Sequence, residues 1–257
     1  MAKISGLSTR IFTQGFDLSG DVSAIQTIEA SQQPLEVPTL DSQAMKRIGG
    51  VLDGKISASA WFDPGTLPLD AFPPTADSEH APYAWTAAAS LPSTDRLVMV
   101  PLGVAIGDSV AMLNAKQATF NVARAPGSAI SATADFQAND YGLEWGVMLT
   151  AGKQTDASAA NSTSIDGLAA SASLGASAQC QVFSVATGTV VPVAQDSADD
   201  AAFAAITGLT FTGVATAGAP TAERLETSAT LQIRRYRRCA STGTFTNAVI
   251  AMGLNVR

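Results

Sequence analysis

The sequence predicts a mainly β protein: a β-sandwich or half-barrel with one short helix, followed by a small jelly-roll or immunoglobulin-like β-sandwich. Two observations predict this fold class. Short alternating runs of Ala, Ser, Thr, Gly and Val fill most of the 257 residues, and clusters of turn-forming residues separate the runs. After residue 168 the runs number about seven, which is the number of strands that a small sandwich requires.

The chain divides at a segment that is polar and almost without bulky side chains. Residues 150–167 read TAGKQTDASAANSTSIDG, a composition typical of a linker. We therefore expect a first β domain at residues 1–150, a linker at 151–167 and a C-terminal β-sandwich at 168–257.

The first domain begins with short strands on either side of a turn rich in Asp, Ser and Gly at residues 14–21. Residues 27–50 carry Pro34 and Pro38 and show weak periodicity, so we expect an extended loop or arm with at most one helical turn at 41–48. Residues 53–63 alternate clearly and predict a strand, with Ile56, Ala58, Ala60 and Phe62 on one face and Lys55, Ser57, Ser59 and Trp61 on the other.

The remaining elements follow from capping and alternation. Ser78 can cap a helix over 78–92, the one helix that the sequence predicts. Strands are predicted at 96–106, 117–124 and 128–137, the last two paired across a short turn. Residues 227–241 and 243–257 predict a second hairpin, whose last strand places Ala248, Ile250, Met252, Leu254 and Val256 on one face.

Composition and charge narrow the function. Charged residues make up 14% of the chain, against about 25% in ordinary soluble proteins, which favours a surface covered by neighbouring subunits. The net charge of −7 argues against general nucleic-acid binding, which requires a basic face. An acidic wall would suit a conduit for DNA, although mild acidity is also ordinary in cytoplasmic proteins. Neither a run of 18 apolar residues nor a secretory signal is found, so we expect no membrane partner and synthesis in the cytoplasm.

The sequence predicts no catalytic, cofactor-binding or metal-binding residue, and no enzymatic activity. The chain has a single histidine, His80, and two cysteines, Cys180 and Cys239, which are expected to be small core residues. Asp196, Asp199 and Asp200 lie close together but lack the spacing of a calcium loop, so an acidic turn is favoured and a structural calcium site stays the alternative.

Two further groups have both a structural and a binding interpretation. Arg234, Arg235, Arg237 and Arg238 surround Tyr236, and we expect a bulge after Ile233 and ion pairs within the domain. The alternative partners are Asp199 and Asp200 or an anionic glycan. The aromatic residues Trp61, Trp85, Trp145, Tyr83 and Tyr141 are suited to stacking on sugars, but packing explains each of them.

Several segments resemble the tail-tube (major tail) proteins of long-tailed bacteriophages. They are GFDLSGDVSAI at 15–25, DGKISASAWFD at 53–63, LPSTDRLVMV at 91–100 and the block at 115–152. Residues 195–211 and 234–257 are similar to small β-sandwich domains appended to virion proteins. The order of these strand-and-turn patterns, rather than any chemical motif, carries the resemblance.

The resemblance implies a location in the virion tail and assembly into hexameric rings that stack as a hollow tube. It implies that sheets of adjacent subunits join to line the lumen, that an N-terminal segment and a long loop bridge one ring to the next, and that the C-terminal domain decorates the outside. The implied partners are further copies, other tail proteins and genomic DNA that passes without specific binding. The alternative is an accessory protein that decorates the capsid or tail, or binds a glycan there.

Overall fold

The computed structural model describes residues 8–20, 22–37, 47–61, 95–123, 126–127, 130–171 and 173–257. These residues are almost entirely β, as predicted, and their strands join in a curled antiparallel half-barrel sheet. The strands are β1 (Phe12–Thr13), β2 (Phe16–Asp17), β3 (Val22–Glu36), β4 (Arg47–Trp61), β5 (Arg96–Pro101), β6 (Ser109–Ala123), β7 (Ser131–Ala138), β8 (Glu144–Met148), β9 (Gln154–Asp156), β10 (Ala160–Asn161), β11 (Ile165–Asp166), β12 (Ala176–Ser197), β13 (Ala204–Thr210), β14 (Val214–Ala215), β15 (Thr221–Glu226) and β16 (Tyr236–Val256). A 3-10 turn at Thr216–Gly218 follows β14.

The N-terminal half, β1 to β8, is organised around β6. On one edge β6 pairs with β7, then β7 with β4 and β4 with β3. Further along that same edge β6 pairs with β8, whereas on its other edge β6 pairs with β5, and β5 pairs with β1. The predicted pairing of 117–124 with 128–137 is confirmed, and so is the inward face of β4, where Ile56, Ala58 and Ala60 are buried. The predicted helix at 78–92 lies outside the described residues.

The C-terminal half, β9 to β16, is organised around two long strands. β12 and β16 pair along their whole length, from Ala176 opposite Val256 to Ser197 opposite Tyr236. The hairpin expected between 227–241 and 243–257 is therefore wrong, because β16 continues through Gly243 at a φ of +100°. A partner strand of equal length keeps β16 extended where the local sequence favours a turn. The predicted inward face of Ala248, Ile250, Met252 and Leu254 is confirmed.

Residues 151–167, expected to be a linker, contain three short strands. β9, β10 and β11 pair one after another along the edge of β16 that β12 leaves free. Small polar side chains are enough here because the backbone ladder on β16, rather than a packed side-chain face, holds the segment. The division of the chain into two domains stays a prediction.

Buried apolar residues form three clusters. One lies within the C-terminal half, mostly on β12 and β16, and a second lies within the N-terminal half, on β4 to β7. The third joins the two halves and brings together Phe12, Met99, Val110, Met112, Met148, Phe183 and Ala251. Phe12 and Phe183 meet edge to face across this junction, with ring centroids 5.0 Å apart.

The expected loop at 27–50 is instead mostly strand. Its described residues belong to β3 and β4, which pair from Val22 opposite Ala60 to Glu36 opposite Arg47. Residues 41–46 of the expected helical turn lie outside the described part of the chain, and Arg47 and Ile48 are in β4. None of the described helical segments is long and apolar enough to cross a membrane.

Candidate assembly interface

The outer part of the β3–β4 hairpin projects past the sheet. β7 covers β4 only from Trp61 to Lys55, and in the described residues no third strand pairs with β3 or β4 beyond that point. We call residues 29–37 and 47–54 the arm. Asp53 and Gly54 still lie against Gln137 and Leu143, and the five residues of β4 before Leu52 span roughly 16 Å at 3.3 Å per residue, so the outer arm extends beyond the core that anchors it.

The end of the arm is apolar on both faces. The register slips by one residue between the Gln32–Leu52 pair and the Pro34–Gly49 pair, which marks a bulge in β4. Leu52 continues the face of Ile56, whereas Ile48 and its partner Leu35 lie on the other face, because a one-residue slip reverses the alternation.

Five exposed apolar residues make up what we call the apolar tip: Leu35 (55% exposed), Val37 (40%), Ile48 (51%), Val51 (83%) and Leu52 (65%). An exposed apolar cluster with a polar surround is typical of a protein interface. The Arg47–Glu36 ion pair lies among these tip residues. It is solvent-exposed and contributes little to stability.

The outer edge of β3 is a second candidate contact. β3 is 15 residues long and, within the described residues, pairs only with β4. Its other edge therefore presents backbone N–H and C=O groups in strand geometry, a ready template for a strand of another chain.

The solvent face of the sheet formed by β4, β7 and β6 is small and polar. It includes Ser59, Thr119, Asn121, Thr133 and Asp135, together with the buried Ser57 and, at its edge, the half-exposed Trp61. Asp135 accepts hydrogen bonds from Ser57 Oγ (2.5 Å) and Thr119 Oγ1 (2.9 Å) and lies 3.4 Å from Lys55 Nζ. The hydrogen bond from Ser57 contributes most to lowering the pKa of Asp135. The two lysines of this face, Lys55 and Lys116, both pair with carboxylates, Lys116 with Asp95.

The arginine cluster forms contacts within the C-terminal half. Arg235 donates to both carboxylate oxygens of Asp166 at 2.6 Å, and Arg238 donates to Gln195 and stacks over Phe203. Arg234 approaches Asp196, not the Asp199 and Asp200 weighed as partners. The expected bulge after Ile233 is wrong, because β16 begins only at Tyr236.

The acidic segment 195–203 is an ordered turn. Asp199 accepts hydrogen bonds from the backbone N–H groups of Ala202 and Ala201 and from Ser197 Oγ, which lower its pKa to about 2. Asp200 accepts a hydrogen bond from Ser164. Among the described residues no group of three acidic, His or Cys side chains is placed to hold a metal ion.

The other candidate residues are scattered. Trp61 and Trp145 are about half exposed, and Tyr141 carries the Arg224 guanidinium 3.6 Å from its ring centre. His80, Tyr83 and Trp85 lie outside the described residues. Cys180 and Cys239 are free and buried, as predicted, and burial raises the pKa of both thiols. The structure does not gather these aromatic residues into a single sugar-binding surface within the described residues.

A polar junction that the sequence analysis missed fixes the N-terminal half against the C-terminal half. Arg224 binds both carboxylate oxygens of Glu144, which also accepts hydrogen bonds from Ser177 and Arg257. Burial would raise the pKa of Glu144, but these donors outweigh it and the pKa is lowered. Strand alternation predicts the face of its strand on which each of Ser177 and Glu144 lies. It does not predict that the two side chains meet, because that contact depends on the tertiary fold.

Neighbouring residues of β12 extend the junction. Gln181 accepts a hydrogen bond from the Gly15 N–H at 2.6 Å and donates one to the Leu97 carbonyl at 3.0 Å. Gln179 is 1% exposed, and neither its amide nitrogen nor its amide oxygen has a hydrogen-bond partner. Lys153 pairs with the buried Asp17 at 3.0 Å.

No protein-family model matches this chain, and no curated protein matches it. Among solved structures, the chain is similar to the tail of an empty gene transfer agent particle, with C6 symmetry (15% identity, 56% of this chain, 97% of that chain, TM-score 0.37). It is also similar to a chain of the virion of a native gene transfer agent particle (14% identity, 56% and 98%, TM-score 0.39). A third similarity is to the SPP1 Dit protein, described as a paradigm of the hub adsorption apparatus in phages that infect Gram-positive bacteria (10% identity, 96% and 99%, TM-score 0.34). At TM-scores this low, the three similarities carry no argument about what this chain does.

Proposed function

We propose that this chain is a structural protein of a bacteriophage tail that assembles with copies of itself into stacked rings, forming a tube for DNA. The observation that carries the proposal is the arm: an apolar tip and a 15-residue strand edge, neither of which is covered by another strand among the described residues. Apolar area removed from water contributes about 25 cal/mol per Å², so covering the tip favours assembly. The hexameric number of subunits in each ring is taken from the sequence resemblance alone.

The polar face of β4, β7 and β6 supports the conduit part of the proposal. Apart from the half-exposed Trp61, its side chains are mainly small and polar, and its lysines are paired with carboxylates. DNA carries one negative charge per roughly 1.7 Å of axis, and unpaired lysines repeated around rings would hold it in place. A wall of this kind lets DNA pass without specific binding, and the proposal assigns the chain no catalytic role.

The second candidate is an accessory virion protein that decorates the capsid or tail surface or binds a glycan. The half-exposed Trp61 and Trp145 are the observation that favours it. A decoration protein stays monomeric or trimeric without its capsid, whereas a tube protein polymerises.

Negative-stain electron microscopy of the purified full-length chain over a concentration series tests the proposal. Rings or tubes of uniform diameter are the expected result. Monomers or compact trimers at every concentration, together with retention on a glycan array, would instead establish the accessory role.

A further inference from the structure

A second pair of surfaces, both in the C-terminal half, is shaped for contact between copies. The first is a projecting leucine. Leu168 is 82% exposed and has a φ of +67°, a left-handed backbone conformation that is unfavourable for leucine. Backbone strain of this kind concentrates at functional positions.

The turn that presents Leu168 is held rigidly. The Leu168 N–H donates to Asp166 Oδ1 at 2.8 Å, and the same carboxylate is held by both donors of Arg235. Gly167 N–H donates to the Arg235 carbonyl, and the Arg237 guanidinium donates to the Ala169 carbonyl at 3.5 Å. The exposed leucine therefore extends from a fixed base and has guanidinium groups beside it. We call this feature the knob.

The second surface is an apolar cavity of about 450 Å³ between β12, β14 and β15. Small-molecule and side-chain pockets have volumes of roughly 300–1,000 Å³. Its lining includes Cys180, Val182, Phe211, Val214 and Ala222, and Glu223 is its only charged lining residue. Glu223 is oriented by hydrogen bonds from the Thr212 N–H (2.7 Å) and Oγ1 (3.0 Å). We call this cavity the hole.

The knob and the hole lie on opposite edges of one sheet. β11, directly before Leu168, pairs with β16, β16 pairs with β12, and β12 pairs on its far edge with β14 and β15. Three strand spacings of about 4.8 Å separate these edges by roughly 14 Å, so the knob of one molecule does not fill the hole of the same molecule.

We propose that Leu168 of one copy inserts into the Val182–Phe211–Val214 cavity of a second copy, with the positive charge of Arg237 facing Glu223 across the contact. The match is of apolar character and of charge. Because each copy uses a different surface from its neighbour, the contact is head-to-tail, and it continues from copy to copy or closes as a ring. This inference rests on the proposed function, since it takes a second copy as the partner.

The test isolates this contact from the arm. In the full-length chain carrying Leu52→Asp, which removes an apolar tip residue, sedimentation velocity over a concentration series should still show head-to-tail association. Leu168→Gly removes the knob and relieves the left-handed backbone. Gly218→Trp fills the hole, because a Cβ at Gly218 would meet nothing closer than Val214 Cγ1 at 3.6 Å.

Each variant should weaken association roughly thirtyfold, the effect of losing a hot-spot residue, with an unchanged thermal unfolding midpoint. A 1:1 mixture of the two variants should form dimers, because one supplies an intact knob and the other an intact hole. Leu174→Gly, at a half-exposed leucine of the same segment, is the matched control and should associate like its parent.

Association of Leu168→Gly equal to that of its parent, or a mixture that stays monomeric, would overturn the inference, and so would a monomeric Leu52→Asp parent. Failure of the proposed function has a different signature. It gives a wild-type chain that forms no tubes by electron microscopy, while the two variants still complement each other as dimers.

Discussion

Arg224 and Glu144 form a two-pronged ion pair that joins the halves of the chain, with Nε 2.9 Å from Oε2 and Nη2 2.7 Å from Oε1. Both side chains are nearly buried, and Glu226 and Arg257 extend the pair into a four-residue network. Removing one partner of a buried pair leaves the other charge uncompensated, which costs more than the intact pair contributes.

Glu144→Gln should therefore lower the free energy of unfolding by about 3 kcal/mol, measured by urea denaturation at pH 7. The exposed Glu29→Gln is the control and should change stability by less than about 0.5 kcal/mol. Equal stability of Glu144→Gln and the wild type would mean that the junction does not depend on this carboxylate.

The same pair predicts a pH dependence. The pKa of Glu144 is lowered in the folded chain, so its contribution is present above its unfolded pKa of about 4.3 and is lost as pH falls through the lower folded pKa. The stability difference between wild type and Glu144→Gln should thus narrow between pH 5 and pH 3. A difference that stays constant across this range would contradict the assignment.

Substitution of Gln179 should raise the stability of the fold, whereas substitution of Glu144 should lower it. Its buried amide makes no hydrogen bond, and an unsatisfied buried polar group costs about 1–3 kcal/mol. Gln179→Met keeps the shape and should raise the thermal unfolding midpoint. Gln181→Met, two residues along the same face, removes two hydrogen bonds and should lower it. Equal destabilisation by both substitutions would mean that the Gln179 amide is not an unsatisfied group in the folded protein.

The third apolar cluster bears on how the chain folds. Phe12 and Met99 pack there against Phe183 and Ala251 of the other half. We expect a fragment of residues 1–150 to unfold at a lower temperature than the full chain, by calorimetry, because it loses this packing. A fragment as stable as the full chain would support the two-domain division expected from the sequence.

The sequence predicted the strands that have one buried face. β4 near Ile56 and β16 near Ile250 alternate because one side meets a core. The arm could not be found in this way, since Leu35 and Ile48 lie on one face and Leu52 on the other, and neither face is buried in the single chain. Gly243 resembles a turn residue, and only the matching length of β12 shows that β16 continues through it.

The polar junction and the knob could not be predicted from the sequence for a different reason. Glu144 and Arg224 are 80 positions apart, and the sequence alone gives no signal that they meet. Leu168 lies in a segment that is otherwise small and polar, so its exposure depends on the Asp166–Arg235 contact, which only the fold creates.

The arm gives the most direct test of assembly. Val51→Asp and Leu52→Asp should abolish tubes in electron micrographs without changing the unfolding midpoint, because both side chains are mostly exposed in the single chain. Val104→Asp, at an exposed valine of the N-terminal half outside the arm, is the control. Tubes that form normally with both arm variants would exclude the tip as a contact.

The polar face of β6 and β7 predicts an effect on DNA passage. Asn121→Lys and Thr133→Lys should leave assembly intact, raise DNA retention by assembled tubes in low-salt filter binding, and slow genome ejection from virions that carry them. The screening length is about 8–10 Å at physiological salt, so retention should fall as salt is added. Asn121→Gln, with the charge unchanged, should behave as wild type.

The uncovered edge of β3 also has a consequence for the chain before it meets its neighbours. A long unpaired strand edge can pair with a strand of any other chain, including a wrong one, before the copies assemble. Pro34 has no backbone N–H to donate, and Glu29 places a carboxylate on the exposed strand, so an antiparallel pairing of two β3 strands that brings the two Glu29 side chains together is unfavourable. The strand that invites growth thus discourages the symmetric pairing of two copies, which would stop growth at a dimer.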